Sequence, residues 1–109
     1  IALQSETFSG TPGKPYIEGD AIVIEGDNVT LTCISPDPGN PPGEFEWTLP
    51  NGDSEFGPEL SMFSVEVYGD EGEYECFVIN PVSTGESAFH NLTVNGGQLE
   101  ITNRSKLMR

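Results

Sequence analysis

Hydrophobic and polar residues alternate along much of this chain. In NVTLTCI, residues 28–34, Val29, Leu31 and Cys33 fall on one side and Asn28, Thr30 and Thr32 on the other. A period of two is the mark of a strand with one buried face. EFEWTL (44–49) repeats it, with Phe45, Trp47 and Leu49 inward and Glu44, Glu46 and Thr48 outward. EYECFVI (73–79) places Tyr74, Cys76 and Val78 on one face. AIVIE (21–25) is short and β-branched, and ESAFHNLTV (86–94) reads as the last strand. LSMFSVEV (60–67) has strand composition but no register of its own, and DSEFGPE (53–59) is too short and broken to predict one.

Turn chemistry separates these runs. Gly26-Asp27, PNGD (50–53) and NPVSTG (80–85) are turn signals. SPDPGNPPG (35–43) holds four prolines in nine residues, which forces a stiff, extended loop. Residues 1–14 lack periodicity and read as a linker or frayed terminus, and residues 96–109 as a C-terminal linker or tail. Between them, residues 15–95 make about seven strands at sandwich spacing, with no helix and no repeat. An all-β, two-sheet sandwich is expected.

Length and composition fit that picture. A chain of 109 residues suits one domain, and its 13 glycines and 9 prolines suit many turns. A core this small is marginal and gains from a covalent staple. No run of 18 apolar residues exists, so nothing here is expected to span a bilayer. The chain has neither an initiator Met nor a leader pattern, and is expected to come from a longer protein.

Charge narrows the partners. Up to residue 103 the chain carries 18 acids against the single Lys14, which is 17 net negative; Arg104, Lys106 and Arg109 form a separate basic tail. Such a surface repels nucleic acid and anionic membranes, and leaves basic partners and divalent cations open. Much of it also serves solubility.

The two cysteines, Cys33 and Cys76, have no second Cys or His at zinc-ligand spacing. They are either buried thiols or one disulfide. If joined, they close a loop of about 44 residues, for which chain entropy gives roughly 4 kcal/mol, and they require an oxidising compartment.

The order Cys33, Trp47, Cys76 on two-faced strands resembles the immunoglobulin superfamily. GDNVTLTC (26–33) resembles its second strand, DEGEYEC (70–76) its Asp-x-Gly-x-Tyr-x-Cys signature, and NLTV (91–94) its closing strand. The resemblance covers roughly residues 15–95. It implies a Greek-key sandwich with a Cys33–Cys76 disulfide between the sheets and Trp47 packed on it beside Leu31. It makes Tyr74 a tyrosine corner, with Gly72 giving tight backbone geometry and Asp70 accepting a bond from backbone two residues on. Members often pair that Asp with an Arg, and no Lys or Arg lies between Lys14 and Arg104 here. The short interval from Trp47 to Cys76 leaves no room for a variable-type strand pair, so a C2-like or shortened I-type sandwich is expected.

Candidate chemistry is sparse. The single histidine, His90, points inward or sits at a rim, with no nucleophile or orienting acid arranged around it. No enzyme activity and no cofactor are expected. Asn51, Asp53 and Glu55 have the one-three-five spacing of a cation loop, but Phe56 and Met62 stand at its sixth and twelfth places, leaving only weak surface calcium binding open. Asn28, Asn91 and Asn103 each head an N-glycosylation sequon, whereas Asn80 is disqualified by Pro81. Three sequons beside a disulfide predict an extracellular protein, secreted or at the cell surface.

Two places suit a partner. One is the proline loop, offering Asp37 and Asn40. The other is a sheet face bearing Phe77, Ile79 and Phe89, which a glycan at Asn91 would crowd. The expected function is a recognition or adhesion module of a larger cell-surface receptor or adhesion molecule, next to other domains of its chain and binding a protein, homophilic or heterophilic. Two alternatives are a structural spacer without its own ligand and an intracellular immunoglobulin domain with reduced cysteines.

Overall fold

The computed structural model describes residues 10–96. Along them run β1 (Tyr16–Glu18), β2 (Ile22–Ile24), β3 (Val29–Ile34), β4 (Glu44–Thr48), β5 (Ser54–Phe56), β6 (Glu59–Met62), the single turn α1 (Val67–Asp70), β7 (Gly72–Ile79) and β8 (Thr84–Asn95). They form two sheets, one in the order β1-β3-β6 and one in the order β2-β8-β7-β4-β5. The inward residues of the alternating strands meet between them. Val29, Leu31 and Cys33 of β3 face Trp47 of β4, Tyr74 and Cys76 of β7, and Leu92 and Val94 of β8. Cys33 and Cys76 are joined, Cα to Cα 6.5 Å, and so staple β3 of one sheet to β7 of the other. Trp47 lies beside Cys76 in the β4–β7 register and is fully buried, and its indole N–H donates to Gly57 O at 3.0 Å. The indole's one polar atom is thus satisfied inside an apolar layer.

The chain enters by switching sheets. β1 runs antiparallel to β3, and β2, three residues later, runs parallel to β8. Gly19 makes the step at φ 153°, where a Cβ would come within 2.6 Å of Leu31 Cδ2. Only glycine fits there without displacing the core.

The strands differ from the sequence expectation in three places. β1 was not predicted, since three residues are too few to display a period. β5 forms within the broken stretch 53–59 because β4 offers it an edge. The run 60–67 is not one strand: β6 ends at Met62, Ser64 has φ 54°, and a helical turn follows. Side chain and backbone from the β2–β3 turn hold this reversal. Asn28 Oδ1 accepts from Ser64 N at 3.0 Å, Asp27 O from Val65 N at 3.0 Å, and Val65 O from Gly26 N at 2.8 Å. The bend buries Val65 completely and leaves Phe63 in solvent.

The segment before β1 also differs. Residues 10–14, read from sequence as linker, pack against the domain: Gly10 exchanges both backbone bonds with Asn40, and Gly13 N donates to Asp37 O at 2.8 Å. Residues 1–9 and 97–109 lie outside the described residues.

Tyr74 forms the corner that the resemblance implied. Its hydroxyl donates to Asp70 O at 2.6 Å, with Met62 Sδ 3.1 Å away. Gly72, at φ 145°, passes so close to Pro50 that a Cβ would lie 2.8 Å from the proline's. Asp70 works differently from the expectation. Its carboxylate accepts from Glu66 N, four residues back, at 2.7 Å, while Asp70 N donates to Glu66 O at 3.0 Å. The two bonds close the turn α1 without an arginine.

Burial, and secondarily the Asp70 carboxylate, push the Tyr74 phenol up to about 12. An unfolded tyrosine ionises near pH 10. The proton is therefore held more tightly in the native state. The stability it contributes is intact below about pH 10 and is lost as pH rises towards 12. Tyr74→Phe should cost about 1 kcal/mol at neutral pH and flatten the alkaline fall, as urea unfolding across that interval would measure.

Candidate interaction surface

The five-stranded sheet has one face in the core and one in solvent. Strand register fixes what lies across the outer face. Phe56 of β5 stands beside Glu46 of β4, which stands beside Phe77 of β7, which stands beside Ser87 of β8. A second row runs Ser54, Thr48, Glu75, Phe89, and a third Glu44, Ile79, Thr84. Beyond β8, Ile22 and Ile24 of β2 lie beside Thr93 and Asn95. Phe56 is 74% exposed, Ile22 67% and Phe89 57%, while Phe77 and Ile79 are half-buried.

Carboxylates occupy the gaps between these apolar groups: Glu44, Glu46, Glu73 and Glu75. Among the described residues Lys14 is the only Lys or Arg, and its ammonium is engaged by Ser87 O at 2.9 Å. Ser87 Oγ in turn donates to Glu75 Oε2 at 2.6 Å. Apart from this one ammonium at its β8 side, no Lys or Arg among the described residues offsets the carboxylates, so the field of the face is predominantly negative.

Two open grooves flank Glu44 at one end of the face. One, of about 300 Å³, runs between Phe56, Pro58 and Gly43. The other, of about 490 Å³, runs between Ile79, Pro41 and Pro81. Apolar walls with a carboxylate at their junction suit a side chain with an aliphatic stem and a cationic tip.

No protein-family model and none of the curated proteins matches this chain. Among solved structures, one of an amphioxus IgVJ-C2 molecule is similar over 73% of this chain, at 29% identity and a TM-score of 0.62. The fold is immunoglobulin-like. The chain spans 44% of the length of that molecule, less than half.

At one end of the immunoglobulin-like domain the proline loop is fastened from beneath. Asn80, 7% exposed, sits between three segments. Its Nδ2 donates to Gly10 O and to Pro41 O, each at 2.8 Å, and its Oδ1 accepts from Val82 N at 3.0 Å and Ser83 N at 3.2 Å. The sequence reading assigned Asn80 no role beyond a failed sequon. The available signal was a polar residue in phase with Cys76 and Val78 on the inward face. Asp37 and Asn40 lie at this end, away from Phe77 and Phe89. Asp37 spends its Oδ1 on Gly39 N at 3.3 Å and its carbonyl on Gly13 N. They shape the loop rather than join the sheet face.

The other predicted positions are scattered. His90 is at the rim, its Nε2 2.8 Å from Asp20 O. Asn51 and Asp53 bond one another, Nδ2 to Oδ2 at 3.1 Å and Oδ1 to the Asp53 amide at 2.9 Å, and Glu55 takes no part. No cluster of three or more metal-ligating side chains occurs among the described residues. Asn28 opens β3 at the end opposite the proline loop, Asn91 lies on the outer face, and Asn103 is outside the described residues. No helix of the described residues is long and apolar enough to cross a membrane. Phe56, Ile22 and Ile24 were missed as surface residues because strand assignment at 53–59 and pairing at 21–25 decide which way they point.

Proposed function

We propose that this domain is an extracellular, non-catalytic recognition module of a larger cell-surface receptor or adhesion protein. It binds a protein partner through the outer face of the five-stranded sheet. The observation that carries this is the row Phe56, Glu46, Phe77, in which apolar and anionic side chains alternate in register on an unpartnered face. Such a face takes an apolar centre ringed by Lys and Arg. A second copy fits it poorly, because a two-fold contact sets Glu44, Glu46, Glu73 and Glu75 against themselves. The disulfide supports an oxidising compartment.

The test is binding of a multimerised domain to cell surfaces, alongside sedimentation velocity. The domain should be monomeric at all concentrations. Its binding should weaken in high salt, and fall at least about tenfold with Phe56→Ser or Glu46→Lys but not with Tyr68→Ser, which alters a fully exposed side chain off this face. Binding indifferent to Phe56 and Glu46 would refute the surface. Calcium-dependent dimers would move the weight to the acidic residues, and no binding at all would favour a spacer.

A further inference from the structure

The sequon at Asn91 was set aside above as an obstacle on the sheet face, yet its surroundings give it a specific role. β8 presents Phe89, Asn91 and Thr93 on the outer face, with Ala88, Leu92 and Val94 buried on the other. Phe89 and Asn91 are two residues apart on one strand, so their Cα atoms lie roughly 6.7 Å apart with both side chains on the same side. Phe89 is 57% exposed, and no other described aromatic lies within two residues of a sequon asparagine. Its cross-strand neighbour is Glu75, whose carboxylate is drawn to the Ser87 hydroxyl at 2.6 Å, away from Asn91. The carboxylate beside Phe89 is thereby held on the Ser87 side, and Glu73 is the residue across from Asn91 itself.

We propose that Asn91 carries an N-linked glycan whose first sugar lies on the ring of Phe89. In the coupling, Asn91 Nδ2 bonds to the anomeric carbon of an oligosaccharide donor linked to a lipid pyrophosphate. The bond from that carbon to the phosphate oxygen breaks, the lipid pyrophosphate leaves, and one Nδ2 proton passes to a base, with no change of oxidation state. The attached pyranose has one face of C–H groups, and the π-cloud of Phe89 presents its negative face to them. The platform removes exposed apolar surface without a protein partner. It withdraws Phe89 from the recognition surface, which leaves that surface to Phe56, Phe77 and Ile79. Asn28 is engaged differently: it lies next to the exposed Phe63 on the other sheet, and its Oδ1 already holds Ser64 N at 3.0 Å.

The inference rests on the extracellular part of the proposed function, so the test supplies a secretion leader and reads only the local geometry. The full chain is secreted from eukaryotic cells with Thr30→Val and Ser105→Ala, leaving one sequon, and glycopeptide mass measures occupancy at Asn91. Its glycan is trimmed to the first sugar. Thermal midpoints are compared with and without Thr93→Val, which removes the glycan but keeps Asn91, each with Phe89 and with Phe89→Ser. The same four chains, exported to a bacterial periplasm and unglycosylated, give the background coupling between the two positions. The glycan should raise the midpoint by roughly 4 °C with Phe89 present, the scale of one aromatic contact in a domain this size, and by nothing with Phe89→Ser. Ile22→Ser should leave the gain intact. An unoccupied Asn91, a gain unchanged by Phe89→Ser, or a gain abolished by Ile22→Ser instead would overturn the proposal.

Discussion

Replacing Cys33 and Cys76 together by alanine should lower the unfolding free energy by roughly 4 kcal/mol. The bridge spans a sequence separation of 43, and opening it restores that freedom to the unfolded chain. Both cysteines are buried, at 2% and 0% exposure, so two small voids add to the loss. A domain of this length has about 5–15 kcal/mol in all. The variant should therefore stand near the limit of folding at body temperature. Urea unfolding followed by Trp47 fluorescence, the chain's one tryptophan, measures it directly. A reductant should bring the native protein to the same midpoint as the double variant. A loss under about 1 kcal/mol would mean that the sheets register without their staple.

Asn80→Leu should cost about 3 kcal/mol, more than any other polar substitution in the described residues. The amide uses both N–H donors and both oxygen lone pairs, on Gly10, Pro41, Val82 and Ser83. Leucine fills the space and leaves four backbone groups without that partner. Asn80→Asp separates shape from chemistry. It retains the acceptor for Val82 and Ser83 but turns a carboxylate oxygen towards the Gly10 and Pro41 carbonyls. Its cost should approach that of leucine. Hydrogen exchange at Val82 and Ser83 should accelerate in the leucine variant and stay nearer the native rate in the aspartate variant, while amides of β3 and β7 keep their protection in both. If aspartate behaves like asparagine, the two donor bonds contribute little, and the proline loop is held by its own stiffness.

Several elements were legible because one physical signal sufficed for each. The two-residue period of β3, β4 and β7 needs no partner strand to be read, and it placed Leu31, Cys33, Trp47, Tyr74 and Cys76 in the core, where they lie. What escaped depended on neighbours. β5 exists because β4 has a free edge, and Ile22 and Ile24 face outward, with Val23 inward, because β2 pairs with β8 and not β3. The run 60–67 looked continuous, since apolar content does not reveal that Asn28 and Asp27 hold Ser64 and Val65 in a turn. The candidate surface was half visible. Phe77 and Phe89 followed from strand parity, whereas Phe56 and the grooves beside Glu44 required the sheet to be assembled first.

The parallel seam of β2 with β8 has a mechanical meaning. Gly10 is tied beside the proline loop, where β8 begins, and Asn95 ends β8 beside the β2–β3 turn, so the two points lie at opposite ends of a strand roughly 40 Å long. Tension between them runs along the strand axis. It loads the three pairs Ile22–Thr93, Val23–Val94 and Ile24–Asn95 in shear, so that they must slide together and cannot unzip singly. If the seam yields, the disulfide still withholds the chain from Cys33 to Cys76, about half of the described length, from any extension. Under load the β3–β7 staple thus bounds how far the domain can lengthen, even once Val23 and Val94 have left the core.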